Sequence, residues 1–286
     1  MGNKTYTPTF AVIGSDARLK AAHEHLEMLG YTSDLAGYYV TQKAQLCATV
    51  ANSTFVVLPL PLTRDLKTLN ADKTKLDITL DGLFEMMRPA QTVFVGMPPQ
   101  SAVEKLNKLG ISVVDYYKDE TLLQQNAYFT AQGLLAIVLE NIRESLDSIR
   151  VLVTGYGRVG SATARLLKNA GADVSVCVRR AEAYNAVQRD GLTPLFYGMA
   201  GECAGCFDVV INTVEATVLD ETFLRTVTPD CLLLEAASAP YGFDMQAAQR
   251  LGRSVRICPA LPGKYVPVSA GKAIANTVLR LIGEGG

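Results

Sequence analysis

The chain has 286 residues, a length that suggests two domains. Hydrophobic residues make up 49% of it, enough to bury sizeable cores, and this excludes a disordered chain. With 27 basic and 28 acidic residues the net charge is −1, so the basic excess of a nucleic-acid binder is missing.

The pattern of short β-branched runs alternating with helix-like stretches predicts an α/β chain with two doubly wound parallel-sheet domains. The first is expected to be flavodoxin-like and the second a Rossmann domain that binds NAD(P). In the first half, strands are predicted at residues 10–14, 54–58, 92–96 and 111–114, with a weaker one at 31–35. A helix over 17–29 is stopped by Gly30. Pro59 and Pro61 break the second clear strand, and Pro98 and Pro99 follow the third. Helical spacing then continues for many turns, from about Glu120 to Leu146. The expected domains are 1–125, a connector helix at 126–147, the dinucleotide-binding domain at 148–267, and a C-terminal helix at 268–286 that packs back on the first domain. In the second domain, strands are predicted at 150–154, 173–178, 194–196, 208–212, 231–235 and 255–258, the set that a full dinucleotide-binding domain needs.

No apolar run reaches the length of a membrane span, because Glu140, Asn141 and Arg143 interrupt the best stretch, 133–139. The opening MGNKTYTPTF lacks the apolar core of a signal peptide, and Tyr6 stands where a myristoylation signal has Ser or Thr. The six cysteines are expected to be free thiols of a reducing cytosol.

The most informative motif is Gly155-Tyr156-Gly157-Arg158-Val159-Gly160, between a predicted strand and a predicted helix. Gly155 permits a tight turn, Gly157 a close approach of backbone to pyrophosphate, and Gly160 close packing of helix on strand. All six residues are expected to bind the cofactor at the helix N-terminus, where free N–H groups point at phosphate. An NAD enzyme carries an acid at the end of the next strand, for the ribose 2′-hydroxyl. Here Arg179 and Arg180 stand there, so NADP is the expected cofactor, with NAD still open. The alternative is a solvated pair of arginines at a helix start.

In open parallel sheets, ligands bind beyond the C-terminal ends of the strands. That rule selects Asn212, Thr213 and Glu235 as further cofactor contacts, and Asp16, Arg18, Ser238 and Lys264 as substrate-contact candidates. Arg18 and Lys264 are expected to face the cleft between the halves. Asp16 reads equally well as a helix cap, and Pro262-Gly-Lys-Tyr265 as a plain turn. The histidines, His23 and His25, both precede the glycine motif, so the positioned acid that ketone reduction commonly uses has no counterpart after it. No metal site is expected. Cys203-Ala-Gly-Cys206 is a lone pair without a second one or a histidine at zinc spacing.

Beyond the generic glycine turn, several strings are more specific. They are Ile13-Gly-Ser-Asp-Ala-Arg18, Asn126-Ala-Tyr-Phe-Thr-Ala-Gln-Gly133, Ile211-Asn-Thr213 and Glu235-Ala-Ala-Ser-Ala-Pro240. The most distinctive is Ala260-Leu-Pro-Gly-Lys-Tyr-Val-Pro-Val-Ser-Ala-Gly271-Lys-Ala-Ile-Ala-Asn276. In these the chain resembles the A-subunit family of dipicolinate synthase. The resemblance implies an oxidoreductase subunit that binds a nicotinamide cofactor. With the flavoprotein B-subunit of dipicolinate synthase it would oxidise a dihydrodipicolinate-type dicarboxylate to dipicolinate during sporulation, in the mother-cell cytoplasm. No membrane or nucleic acid would be involved, and a homo-oligomer is expected. The layout also resembles D-2-hydroxyacid dehydrogenases. Two alternatives therefore stand: a stand-alone dehydrogenase of that type, and a non-catalytic subunit that binds NADP for regulation.

Overall fold

The structure is a computed structural model, and it describes residues 9–37, 43–74 and 76–284. The readings made on residues 1–8 lie outside the described residues. The chain divides into two compact units, Met1–Gln125 with Pro267–Gly286, and Asn126–Val266.

The first unit runs β1 (Thr9–Ile13), α1 (Ala17–Met28), β2 (Thr32–Ala36), α2 (Lys43–Asn52), β3 (Phe55–Val57), α3 (Leu80–Phe84), β4 (Thr92–Val95), α4 (Gln100–Lys108) and β5 (Ser112–Asp115). All pairings are parallel, in the order β2-β1-β3-β4-β5. That is the flavodoxin-like order. β1 is buried on both faces, with Phe10, Ala11, Val12 and Ile13 each at 1% exposure or less, which is why it reads as a continuous apolar run. In α1 the Asp16 carboxylate caps the start, and Leu19, Ala21, Ala22 and Leu26 form the buried face. Gly30, at φ +87°, ends that helix.

The segment between β3 and α3 folds across the C-terminal edge of this sheet. Leu62 N donates to Gly96 O at 2.9 Å, and Asp72 N to Ser15 Oγ at 2.5 Å. Its Asp65 accepts from Thr63, Lys67 and Thr68, and these bonds hold the Asp65 carboxyl well below the usual aspartate range.

The connector α5 covers Glu120–Asn141 rather than 126–147. Asp119 sets its start by accepting from Leu122 N at 2.8 Å. Beyond Asn141 the polar run Arg143-Glu144-Ser145 leads into a short 3₁₀ turn at Leu146–Ser148.

The second unit continues β6 (Arg150–Thr154), α6 (Arg158–Asn169), β7 (Asp173–Val178), α7 (Ala181–Arg189), β8 (Thr193–Phe196), α8 (Tyr197–Glu202), β9 (Val209–Asn212), α9 (Glu221–Thr226), β10 (Leu232–Glu235), α10 (Met245–Arg250), β11 (Val255–Ile257) and α11 (Leu261–Tyr265). Its sheet is parallel throughout, in the order β11-β10-β9-β6-β7-β8. That is the complete dinucleotide-binding arrangement, with the strand order reversing between β6 and β9. The expected fold class therefore holds for both sheets. Residues 262–265 differ from the plain turn: they lie in α11, which packs on α5 so closely that a Cβ at Gly133 would stand 2.8 Å from Leu261 Cβ.

The last helix, α12 (Pro267–Glu284), returns to the first unit. Its small buried residues, Ala270, Gly271, Ala273 and Ala275, let it lie tightly along α1. A Cβ at Gly271 would collide with the carbonyl oxygen of Arg18 and stand 2.7 Å from Ala21 Cβ. His25 and Asn276 share a 2.9 Å hydrogen bond across this pair, and Arg280 pairs with Asp119. Among the described residues, no helix is long and apolar enough to cross a membrane.

Candidate functional site

β6 is buried from Val151 to Thr154 and delivers the chain into the glycine turn at the sheet's switch point. Gly155 sits at φ +84°, backbone that side chains rarely adopt. Gly160 packs against the turn itself. A Cβ there would collide with Gly155 O and stand 2.8 Å from Thr213 Oγ1. Gly157 is different. It caps α6 with no side chain, at an ordinary φ of −78°, and its Cβ would meet nothing within 4 Å. The turn thus leaves open backbone in front of the first N–H groups of a 12-residue helix, a ready anion site. Arg158 is exposed and Val159 half-buried at the start of that helix.

Tyr156 is anchored. Its hydroxyl donates to Asp190, which also accepts from Arg165 Nε at 2.8 Å, while Lys168 Nζ donates to the Asp190 carbonyl at 2.8 Å. The Arg165 guanidinium lies 5.8 Å from the Tyr156 ring centroid. Burial, and then the bond to Asp190, push the Tyr156 hydroxyl up to about 12. The same bonds hold the Asp190 carboxyl below the usual range, so the tie is in place above ordinary aspartate pKa values and lost in strong acid. The tie joins residues 34 apart in sequence, and no local spacing signals it.

Arg179 and Arg180 follow the end of β7 and are both exposed. Neither makes an ion pair among the described residues. Arg180 is the N-cap residue of α7 and makes no side-chain cap bond. The charge of Arg179 reaches Tyr197, the first residue of α8.

Asn212, Thr213 and Glu235 are brought together at the ends of β9 and β10, but in a role the sequence pattern does not signal. Glu235 is 0% exposed. Its Oε1 accepts from Asn212 Nδ2 at 2.6 Å and Ala237 N at 2.9 Å, and its Oε2 from Gly242 N at 2.9 Å and Phe243 N at 3.3 Å. Asn212, also 0% exposed, accepts from Thr154 Oγ1 at 2.5 Å and Val214 N at 3.1 Å. The Glu235 carboxylate is thus consumed in holding the loop after β10, and it is corrected from a cofactor contact to a buried tie. Thr213 is half-buried, and its Oγ1 donates to Thr154 O at 2.6 Å.

The remaining candidates are scattered. Asp16 does cap α1, with Oδ1 accepting from Arg18 N at 2.8 Å and Leu19 N at 3.2 Å. It also pairs with the Arg18 guanidinium at 3.1 Å. Both belong to the first unit, whereas Ser238, in the loop after β10, and Lys264, on α11, are exposed residues of the second. His23 and His25 lie in α1. Burial pushes the Cys203 thiol up, and the Sγ contacts Met199 O at 3.2 Å, so Cys203 lacks the lowered pKa of a redox-active thiol.

Comparison with known proteins sets this geometry in context. Residues 9–117 match the family model for the N-terminal domain of the dipicolinate synthase A-subunit, and residues 151–227 match the model for ketopantoate reductase PanE/ApbA. The dipicolinate synthase A-subunit of Bacillus subtilis (strain 168) is 29% identical over 172 residues, 60% of this chain; the match spans 58% of that relative's length. The crystal structure of the dipicolinate synthase A-subunit from Bacillus halodurans superposes with a TM-score of 0.84 at 21% identity, covering 96% of this chain and 98% of that one. The A chain from Bacillus subtilis gives a TM-score of 0.80 at 23% identity, over 97% and 96% of the two chains. By the family model on its first unit, the curated match and the shared two-domain fold, the chain is similar to the dipicolinate synthase A-subunit.

Proposed function

We propose that this chain is the NADP-binding oxidoreductase subunit of a dipicolinate synthase. Its substrate would be a dihydropyridine dicarboxylate. It would act with a flavoprotein partner in the mother-cell cytoplasm of a sporulating bacterium. The observation that carries the nucleotide part is the open backbone at Gly157 in front of α6, with Arg179 and Arg180 exposed at the end of the neighbouring strand β7. The residues present fit a dinucleotide. Gly157 and the first amides of α6 would hold the pyrophosphate. The two guanidinium groups would receive the 2′-phosphate. Tyr156, tied to Asp190, steadies the turn. When bound, the nicotinamide supplies one thing, a ring that takes up hydride.

The substrate part is supported by the names of the relatives and by chemistry that matches the residues. Aromatising a dihydropyridine releases a hydride and a weakly held proton, so no ketone has to be polarised. This agrees with a chain whose two histidines both lie in α1. The first unit would contribute a cation for one substrate carboxylate, at Arg18.

One observation favours a second reading, a protein that binds NADP without carrying the chemistry. The buried carboxylate at the end of β10 is fully occupied by internal donors. A dipicolinate-forming assay with this chain and its partner, separately and together, distinguishes the two readings. Dipicolinate formation by the partner on its own, with this chain and NADP changing only its rate, would leave only the regulatory role.

Cofactor choice is tested separately by titration calorimetry. NADPH is expected to bind at least tenfold more tightly than NADH, and Arg179→Asp to level or reverse that order, since losing one charge-assisted contact costs about 1.5–3 kcal/mol. A wild-type preference for NADH would refute the assignment of these arginines.

A further inference from the structure

We propose that Asp16 is a positioning residue that fills the fork of the Arg18 guanidinium, so that a substrate carboxylate meets Arg18 end-on, through Nη1 alone. This rests on the reading that the first unit contacts the substrate, and it specifies how.

The commitment of each donor is on view. Arg18 Nε donates to Asp16 Oδ1 at 3.3 Å, and Nη2 donates both to Asp16 Oδ2 at 3.1 Å and to Leu60 O at 2.8 Å. The N–H of Nε and both N–H of Nη2 are therefore used. Nη1 has no partner among the described residues, yet it is not among the buried polar atoms that lack one. The side chain is only 11% exposed. The guanidinium is set into the wall of the sheet's C-terminal edge with one nitrogen left toward solvent.

Its neighbours make that pose rigid. Leu60 lies in the loop after β3, between Pro59 and Pro61, and packs so closely on Gly96 that a Cβ there would stand 2.7 Å from Leu60 Cβ. The backbone of Arg18 is pressed from the other side by Gly271 of α12. A solvated arginine offers a carboxylate two parallel N–H bonds. This one has already given its fork to Asp16, and the pair is close to neutral. An incoming carboxylate gains little from net charge and must come to one fixed point. The pair therefore selects for where the carboxylate sits rather than for negative charge as such.

Asp16 also caps α1, and the test must separate the two duties. Asn and Ser cap helices about as well as Asp, but neither gives Arg18 an anionic partner. Asp16→Asn and Asp16→Ser should keep the wild-type melting temperature and free the Arg18 fork. In the reconstituted dipicolinate-forming assay, both should keep the substrate KM, and the inhibition constant of added pyridine-2,6-dicarboxylate, within about threefold. Both should lose at least tenfold in kcat, because the carboxylate is held but misplaced. Arg18→Ala should raise KM and the inhibition constant at least tenfold. If Arg18→Ala changes neither, the first unit does not hold the carboxylate, and the underlying reading falls with the proposal. If Arg18→Ala raises both but the two Asp16 variants keep wild-type kcat, the reading stands and the positioning role is refuted. A kcat loss that appears only with a matching fall in melting temperature also overturns it, since Asp16 would then be a cap and nothing more.

Discussion

Gly157→Val is expected to abolish dinucleotide binding in a protein that still folds. The two halves of that result come from different facts. Backbone strain is absent, because Gly157 sits at φ −78°, which any residue adopts. Steric conflict within the protein is absent too, because a Cβ at this position meets nothing within 4 Å. What the valine does occupy is the space in front of the α6 amides, where pyrophosphate would approach. Losing several charge-assisted bonds from backbone N–H to phosphate should weaken NADPH by more than a hundredfold, about 3 kcal/mol. Calorimetry on the variant reads the binding, and thermal melting reads the fold. Tight NADPH binding by a variant with the wild-type melting temperature would mean that the cofactor sits elsewhere.

Gly160→Ala is the internal control, because the two glycines differ in kind. The added methyl group at 160 would run into Gly155 O, which is backbone and cannot swing aside. The outcome expected is a loss of stability of about 1–3 kcal/mol, as for overpacking in a tight core. It would be read as a lower urea midpoint, with any loss of affinity following from the distorted turn. If 160 tolerates alanine while 157 tolerates valine, the turn is not shaped as described.

These contrasts bear on what a sequence can and cannot disclose. The strands were legible because both sheets are covered on both faces, so that runs such as Val151-Leu-Val and Val209-Val-Ile are nearly unbroken in their apolarity. The glycine turn was legible because its three glycines stand at fixed spacing between such a strand and a helix. The start of α5 near Glu120 was legible too, but its end at Asn141 was not, because no glycine or proline stands between it and the 3₁₀ turn at Leu146–Ser148. After Leu58 the sequence shows that Pro59 and Pro61 end the strand and carries no signal for how the chain continues toward α3. The fold of that segment depends on bonds such as that from Asp72 N to Ser15, 57 residues apart. Long-range ties of this kind leave no periodic trace. The same limit explains Glu235. A carboxylate at the end of a strand reads from sequence as a ligand contact, and only the positions of Asn212, Ala237, Gly242 and Phe243 show that it faces inward.

Glu235→Ala should accordingly act on folding before it acts on function. The substitution removes the acceptor of Asn212 Nδ2 and of the Ala237, Gly242 and Phe243 amides in one step. Glu235 and Asn212 are fully buried, so water cannot readily replace the lost oxygens. Each buried donor left without a partner costs about 1–3 kcal/mol. Partial relaxation of the loop will recover some of that sum. A net loss of about 3–5 kcal/mol is expected, a large share of the roughly 5–15 kcal/mol that holds an ordinary domain folded. Glu235→Gln is the sharper version. It preserves shape and one oxygen, but wherever its NH₂ group points it confronts N–H donors and meets no acceptor. It should cost less than alanine but still about 1–3 kcal/mol. Hydrogen exchange at the Gly242 and Phe243 amides is the local readout, and it should speed up in Glu235→Gln while amides in the first unit stay protected. If Glu235→Gln leaves both stability and those amides as in the wild type, the carboxylate is not holding the loop and is open to a ligand after all.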